Sequence, residues 1–157
     1  MLGLDAQMIT RKVNRTVASQ RPHEVWNAYV NLLATEDYAD LDEVQRAAHL
    51  AFWYDSEVQN GGHLQYFENR GLSLVAETLK ALRVIGAEGQ HRVLEAASQA
   101  FLSKPRARIQ TVEAYVATAR HGEFDSYDSA CYACEPPIQE LLKDYLGSHR
   151  GRFVQFV

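Results

Sequence analysis

Apolar residues recur at spacings of three and four along almost the whole chain, the period of helices that each turn one face to a core. Ile9, Val13 and Val17 open the pattern and predict a first helix, which Arg21-Pro22 interrupts. Proline at a first helical position predicts a second helix from Pro22 to about Ala34, with Val25, Trp26, Tyr29, Val30 and Leu33 apolar. A third, from about Asp42 to Gln59, is apolar almost all round: Leu41, Val44, Ala48, Ala51 and Val58 form a seam that Leu50, Phe52, Trp53 and Tyr54 widen. It is the expected centre of the fold, and Asp55 falls on its seam, where a carboxylate needs a partner.

Six further stretches complete the pattern. A short helix over His63 to Asn69 puts Leu64 and Phe67 on one face and is closed by Gly71. Ser73 is the expected cap of a helix carrying Val75, Leu79, Leu82 and Ile85, closed by Gly86. Glu88 to Leu102 and Arg106 to Arg120 follow, the latter stacking Ile109, Val112 and Val116. Phe124, Tyr127, Cys131 and Cys134 then recur at three, four and three, so both cysteines read as small buried hydrophobes on an aromatic face. Pro136-Pro137 starts a last helix with Ile138, Leu141, Leu142 and Tyr145 inward and Gly147 as its end; the apolar tail Phe153 to Val157 is left to add a strand or dock on the core. The sum is an all-α fold, a compact bundle of about seven or eight helices, and at 157 residues one domain spanning 1–157 is expected.

The most informative segment joins the third helix to the short one: Glu57-Val58-Gln59-Asn60-Gly61-Gly62-His63-Leu64-Gln65-Tyr66-Phe67-Glu68-Asn69. Consecutive glycines are costly inside a helix and free to take positive φ, so the chain turns there. Two readings of Glu57, Asn60, Gln65 and Asn69 stand side by side. Either they satisfy backbone groups freed at the two helix ends, or they and the glycine amides form a small polar pocket or docking corner.

Charge and chemistry narrow the function. Sixteen basic and twenty acidic side chains leave a net of -4, which disfavours direct nucleic-acid binding through phosphate neutralisation. No apolar run is long enough to span a membrane and the first nineteen residues lack a signal-like apolar segment, so a cytoplasmic location is expected. Glu36 to Glu43 holds five acids in eight positions, read as a solvated loop that suits the following helix N-terminus or as an interaction patch. The six histidines form no HExxH pair, the single CxxC has no second pair, and no nucleophile elbow or phosphate loop is present. No catalytic residue, metal site or cofactor is therefore assigned; His49, ahead of Asp55 and Glu57 on one helix, is the nearest approach to a histidine–carboxylate grouping.

Glu57-Val58, Asn60-Gly61-Gly62, Gln65-Tyr66-Phe67 and Asn69, together with Phe124-Asp125, Tyr127-Asp128, Tyr132-Ala133 and Pro137 to Tyr145, resemble the DNA-mimic-protein family, a bacterial domain-of-unknown-function family, over about residues 20–153. The resemblance implies an all-helical fold, a homodimer, and a non-catalytic role in which an acidic surface imitates duplex DNA and occupies a transcription regulator. Asp37, Asp40, Asp42 and Glu43, with Glu123, Asp125 and Asp128, are the acids such a surface would draw on. Two alternatives remain: an immunity protein or antitoxin that blocks a toxin, and a small-molecule binder or enzyme using the corner from Asn60 to Asn69.

Overall fold

A computed structural model describes residues 7–157, so the start of the N-terminal stretch, Met1 to Ala6, lies outside the described residues. Among the described residues eight α-helices build the fold: α1 Arg15–Gln20, α2 His23–Thr35, α3 Glu43–Arg70, α4 Val75–Val84, α5 Glu88–Leu102, α6 Val112–Arg120, α7 Asp125–Tyr132 and α8 Ile138–Ser148. The fold is all-helical apart from two three-residue strands, β1 Arg11–Val13 and β2 Val154–Phe156, which pair in parallel with Arg11 opposite Val154 and Val13 opposite Phe156.

The long α3 is the axis against which α2, α4, α7 and α8 pack. Its wide apolar surface explains why: Ala48, Ala51, Tyr54 and Val58 are all fully buried, on a seam that meets Leu32 and Leu33 of α2, Leu82 of α4 and Leu142 of α8 in one cluster. A second, aromatic part of the core gathers Phe67, Phe101 and Phe124, with ring centroids 4.6 to 6.2 Å apart, under the Arg106 guanidinium.

The start of α3 is tied to both ends of the chain through one side chain. Asp42 accepts from the Gln45 backbone N–H at 2.9 Å while Gln45 accepts from the Asp42 N–H at 3.1 Å, a reciprocal capping box. The Gln45 amide, 1% exposed, then donates to the carbonyls of Ile9 at 2.5 Å and Arg152 at 2.8 Å, next to the two strands. Tyr145 of α8 adds a bond from its hydroxyl to the Val44 carbonyl at 2.8 Å.

Four local expectations are corrected. Ile9 and Val13 do not begin a helix: Val13 lies in β1, and α1 starts after Asn14, whose side chain accepts from the N–H groups of Thr16 and Val17. A helical spacing of apolar residues also fits a strand plus a short helix when a distant tail pairs with the strand, which periodicity cannot show. Ser73 does not cap α4, whose N-cap is Leu74 with no side-chain bond. The sixth helix begins at Val112 behind a Thr111 cap, and its stripe is not core: Val112 is 75% and Val116 40% exposed. Gly147 does not end α8, which continues to Ser148.

Candidate functional site

The double glycine breaks α3. Gly61 (φ −151°, ψ 16°) and Gly62 (φ 75°, ψ −172°) leave the helical region, so the conformation that favours glycine sits at the second residue of the pair. Leaving the helix strands the backbone groups on either side of the break, and inside a core those must find partners. Both come from α7. Asp128 accepts from the His63 backbone N–H at 2.8 Å, and Tyr132, one turn on, donates its hydroxyl to the Val58 carbonyl at 2.7 Å. A Cβ at Gly62 would run into the Asp128 carboxylate, which gives this position a second reason to be glycine.

Asp128 also sets the chemistry of the imidazole beside it. Its Oδ1 accepts from His63 Nδ1 at 2.7 Å, which leaves Nε2 to accept the Tyr54 hydroxyl at 2.8 Å; the Tyr54 oxygen in turn lies 3.7 Å from Cys131 Sγ. Burial lowers the His63 pKa below its ordinary value and outweighs the carboxylate, so the contact is a hydrogen bond to a neutral ring rather than an ion pair. Burial likewise raises the Tyr54 hydroxyl far above its usual range and the Cys131 thiol to about 11. An orienting carboxylate, an imidazole and a hydroxyl in series have the order of a nucleophile relay, yet Tyr54 and His63 are fully buried and no substrate reaches the hydroxyl. The chain is a strut across the break.

The motif's polar side chains bind mainly one another. Glu57, 7% exposed, accepts from Gln65 Nε2 at 2.9 Å, Asn69 Nδ2 at 2.8 Å and Arg70 Nε at 3.3 Å, while Asn60 donates to Gln65 Oε1 at 3.2 Å. Tyr66 is buried with its hydroxyl toward Thr78 at 3.4 Å, and the Gln65 side chain fills the space a Cβ on Gly61 would need. The corner is thus filled by its own side chains. Glu57, and not Asp55, is the buried carboxylate: Asp55 is half-buried, with Gln59 at 3.5 Å as its hydrogen-bond partner, and burial raises its pKa. Asp55 lies one residue beyond Tyr54, roughly 100° round the helix from the fully buried side.

The acids singled out for a surface role fall into two groups. Asp42 caps α3 and meets Arg152 at 3.0 Å; Glu123 is clasped by both terminal nitrogens of Arg106, which lower its pKa, with Lys104 at 3.6 Å; Asp128 is held by His63. Asp125 is exposed in the first turn of α7. Asp37, Asp40 and Glu43 are exposed and form no ion pair among the described residues. No three His, Cys, Asp or Glu side chains among the described residues group to hold a metal ion, and no helix there is long and apolar enough to cross a membrane.

Fold and site together define an all-helical scaffold whose motif braces a broken central helix. The family model of the DMP19-like proteins matches residues 39–149, more than half of the chain, and the chain belongs to that family. No curated protein and no solved structure matches it.

Two predictions follow from the brace. Gly62→Ala forces a positive φ on a residue with a Cβ and drives that Cβ into Asp128, so urea denaturation should show a loss of about 1–3 kcal/mol or more; an unchanged midpoint would contradict the assignment. His63 stays neutral in the fold, whereas the unfolded chain takes up a proton below its ordinary value of 6.5, so stability should fall as the pH drops through that value. His49 acts in the same sense, and Asp55, with its raised pKa, opposes the trend only in the more acidic carboxylate range. Denaturation midpoints at pH 7.5 and 5.5 test this, and equal midpoints would show that His63 is protonated in the fold.

Proposed function

We propose that this chain is a non-catalytic binding protein that occupies a DNA-binding protein partner by presenting carboxylates where that partner expects phosphates. The observation that carries the reading is the turn before α3. Asp37, Asp40 and Glu43 stand exposed within seven residues and form no ion pair among the described residues, with the Arg46 guanidinium set into the same turn on the Tyr38 and Ala39 carbonyls. The chain's modest net charge hides an uneven distribution. Lys104, Arg106, Arg108 and Arg120 against the lone Glu113 fall between residues 103 and 122, which leaves twelve basic and nineteen acidic side chains for the rest. A local acidic field of this kind steers a basic partner even when the total charge is small, because only charges within roughly a Debye length of about 8–10 Å are felt. Membership of the DMP19-like family supports the same reading, and a regulator of transcription is the partner it favours.

Affinity capture with the purified chain from its native host, followed by elution with duplex DNA, tests the proposal. The expected result is a retained protein that DNA displaces. Charge reversal of Asp37, Asp40 and Glu43 to lysine, with the structural Asp42 left in place, should then slow association about tenfold or more at low salt and flatten its salt dependence. A captured protein that DNA does not displace, such as a toxin held at another surface, or association rates that the reversal leaves unchanged, would overturn the reading.

A further inference from the structure

A groove of about 420 Å³ runs between the corner of α1 and α2, the end of α8 and β2. Its floor is apolar: Val25, Trp26 and Phe156 are half-buried there, and Leu146 is buried. Two cations stand at its edge and no carboxylate lines it. Lys143 Nζ lies 5.5 Å from the centre of the Trp26 ring, and the Arg150 guanidinium lies 5.8 Å from that of Phe156. Both cations are exposed, and neither side chain forms a hydrogen bond or an ion pair among the described residues. Glu24, in the first turn of α2, faces Arg21 and His23 at 3.7 Å and does not line the groove.

Elsewhere the fold matches its arginines with its own acids. Arg11 meets Glu36, Arg70 meets Glu57, Arg106 meets Glu123 and Arg152 meets Asp42. At the groove the matching acids are missing, and an aromatic face attracts a cation without cancelling its charge, so the field over the apolar floor stays positive. Positive charge at the rim of an apolar surface complements an apolar ridge bordered by carboxylates. The spacing adds a second condition. Lys143 stands three positions before Leu146 and Arg150 four positions after it, a cation about one helical turn to either side of an apolar residue. A helix with a carboxylate one turn to either side of an apolar residue has the same spacing and the inverse charge.

We propose that this groove docks an acidic amphipathic helix of a partner protein. An apolar residue of that helix is seated on Trp26, Leu146 and Phe156, and the carboxylates flanking it meet Lys143 and Arg150. The acidic turn before α3 and this groove share no residue and bear opposite charge, so they select different surfaces. The groove's role therefore stands whether or not the turn holds a DNA-binding protein.

Fluorescence anisotropy tests the proposal, with the full chain titrated at low salt into a labelled, alanine-based helical peptide that carries a leucine flanked one turn to either side by glutamates. Saturable binding is expected, about tenfold weaker for the Lys143→Glu, Arg150→Glu double variant and for a peptide of the same composition with the leucine moved to the opposite face. A peptide with lysines in place of the glutamates should bind the double variant better than the unaltered chain, a gain that a folding defect does not produce. Absence of saturable binding, equal affinity for the two glutamate peptides, or an unchanged affinity in the double variant would overturn the proposal. So would sedimentation of the chain alone as a dimer that the double variant dissolves, because the groove would then be occupied by a second copy.

Discussion

A helix broken in the middle of a core leaves backbone donors and acceptors with nowhere to go, and in this protein α7 supplies them. Asp128 takes the His63 N–H and Tyr132 takes the Val58 carbonyl, one residue on each side of the Gly61-Gly62 break. These two side chains are a single helical turn apart, so one short helix laid across the break serves both halves of α3. The constraint reaches outward from there. Asp128 fixes the His63 tautomer, His63 holds the Tyr54 hydroxyl, and Tyr54 is a fully buried part of the seam on which α3 packs. Glu57 fastens the second half of α3 to the first through Gln65, Asn69 and Arg70.

This division of labour separates the acids that hold the structure from those left over for recognition. Asp42, Glu57, Glu123 and Asp128 are engaged by caps, amides, guanidinium groups or an imidazole, and they carry little field to a partner. The carboxylates of Asp37, Asp40 and Glu43 are free to do so, next to a capping box that holds the start of α3 still. A rigidly mounted set of charges loses less entropy on docking than a mobile one, which is how a few acids on a turn can serve as a binding surface. Lys104, Arg106, Arg108 and Arg120, around α6, are the basic residues with fewest acids about them in sequence; the other twelve are interspersed with acids along the chain.

Much of the architecture was legible because burial imposes a period. The seam of α3, the extent of α5 and the turn at the double glycine all follow from residue spacing and from what glycine permits. Long-range pairing was not legible. Nothing local distinguishes Ile9 and Val13 on a strand from the same residues on a helix, since the deciding partner is Phe153, whose carbonyl accepts from the Arg11 N–H. The exposed stripe of α6 shows the converse: a correct period does not tell which helices the core has room for. At the site, the corner of Glu57, Asn60, Gln65 and Asn69 was visible, but the buried carboxylate was expected two residues too early, at Asp55 on the apolar seam in place of Glu57. Asp128 looked like a surface acid because its role depends on a break more than sixty positions earlier. The one signal that could have found it is spacing: Asp128 and Tyr132 stand four apart, a pair able to face the same stretch of a neighbouring helix.

Hydrogen exchange at the His63 backbone amide, compared between the unaltered chain and Asp128→Ala, measures the central interaction directly. If Asp128 caps the second half of α3, the amide is protected in the unaltered chain and exchanges faster by about tenfold or more in the variant, with core amides of α2 changed much less. Equal protection of His63 in both proteins would mean that the break in α3 is held by something other than α7, and the account built on that brace would be wrong.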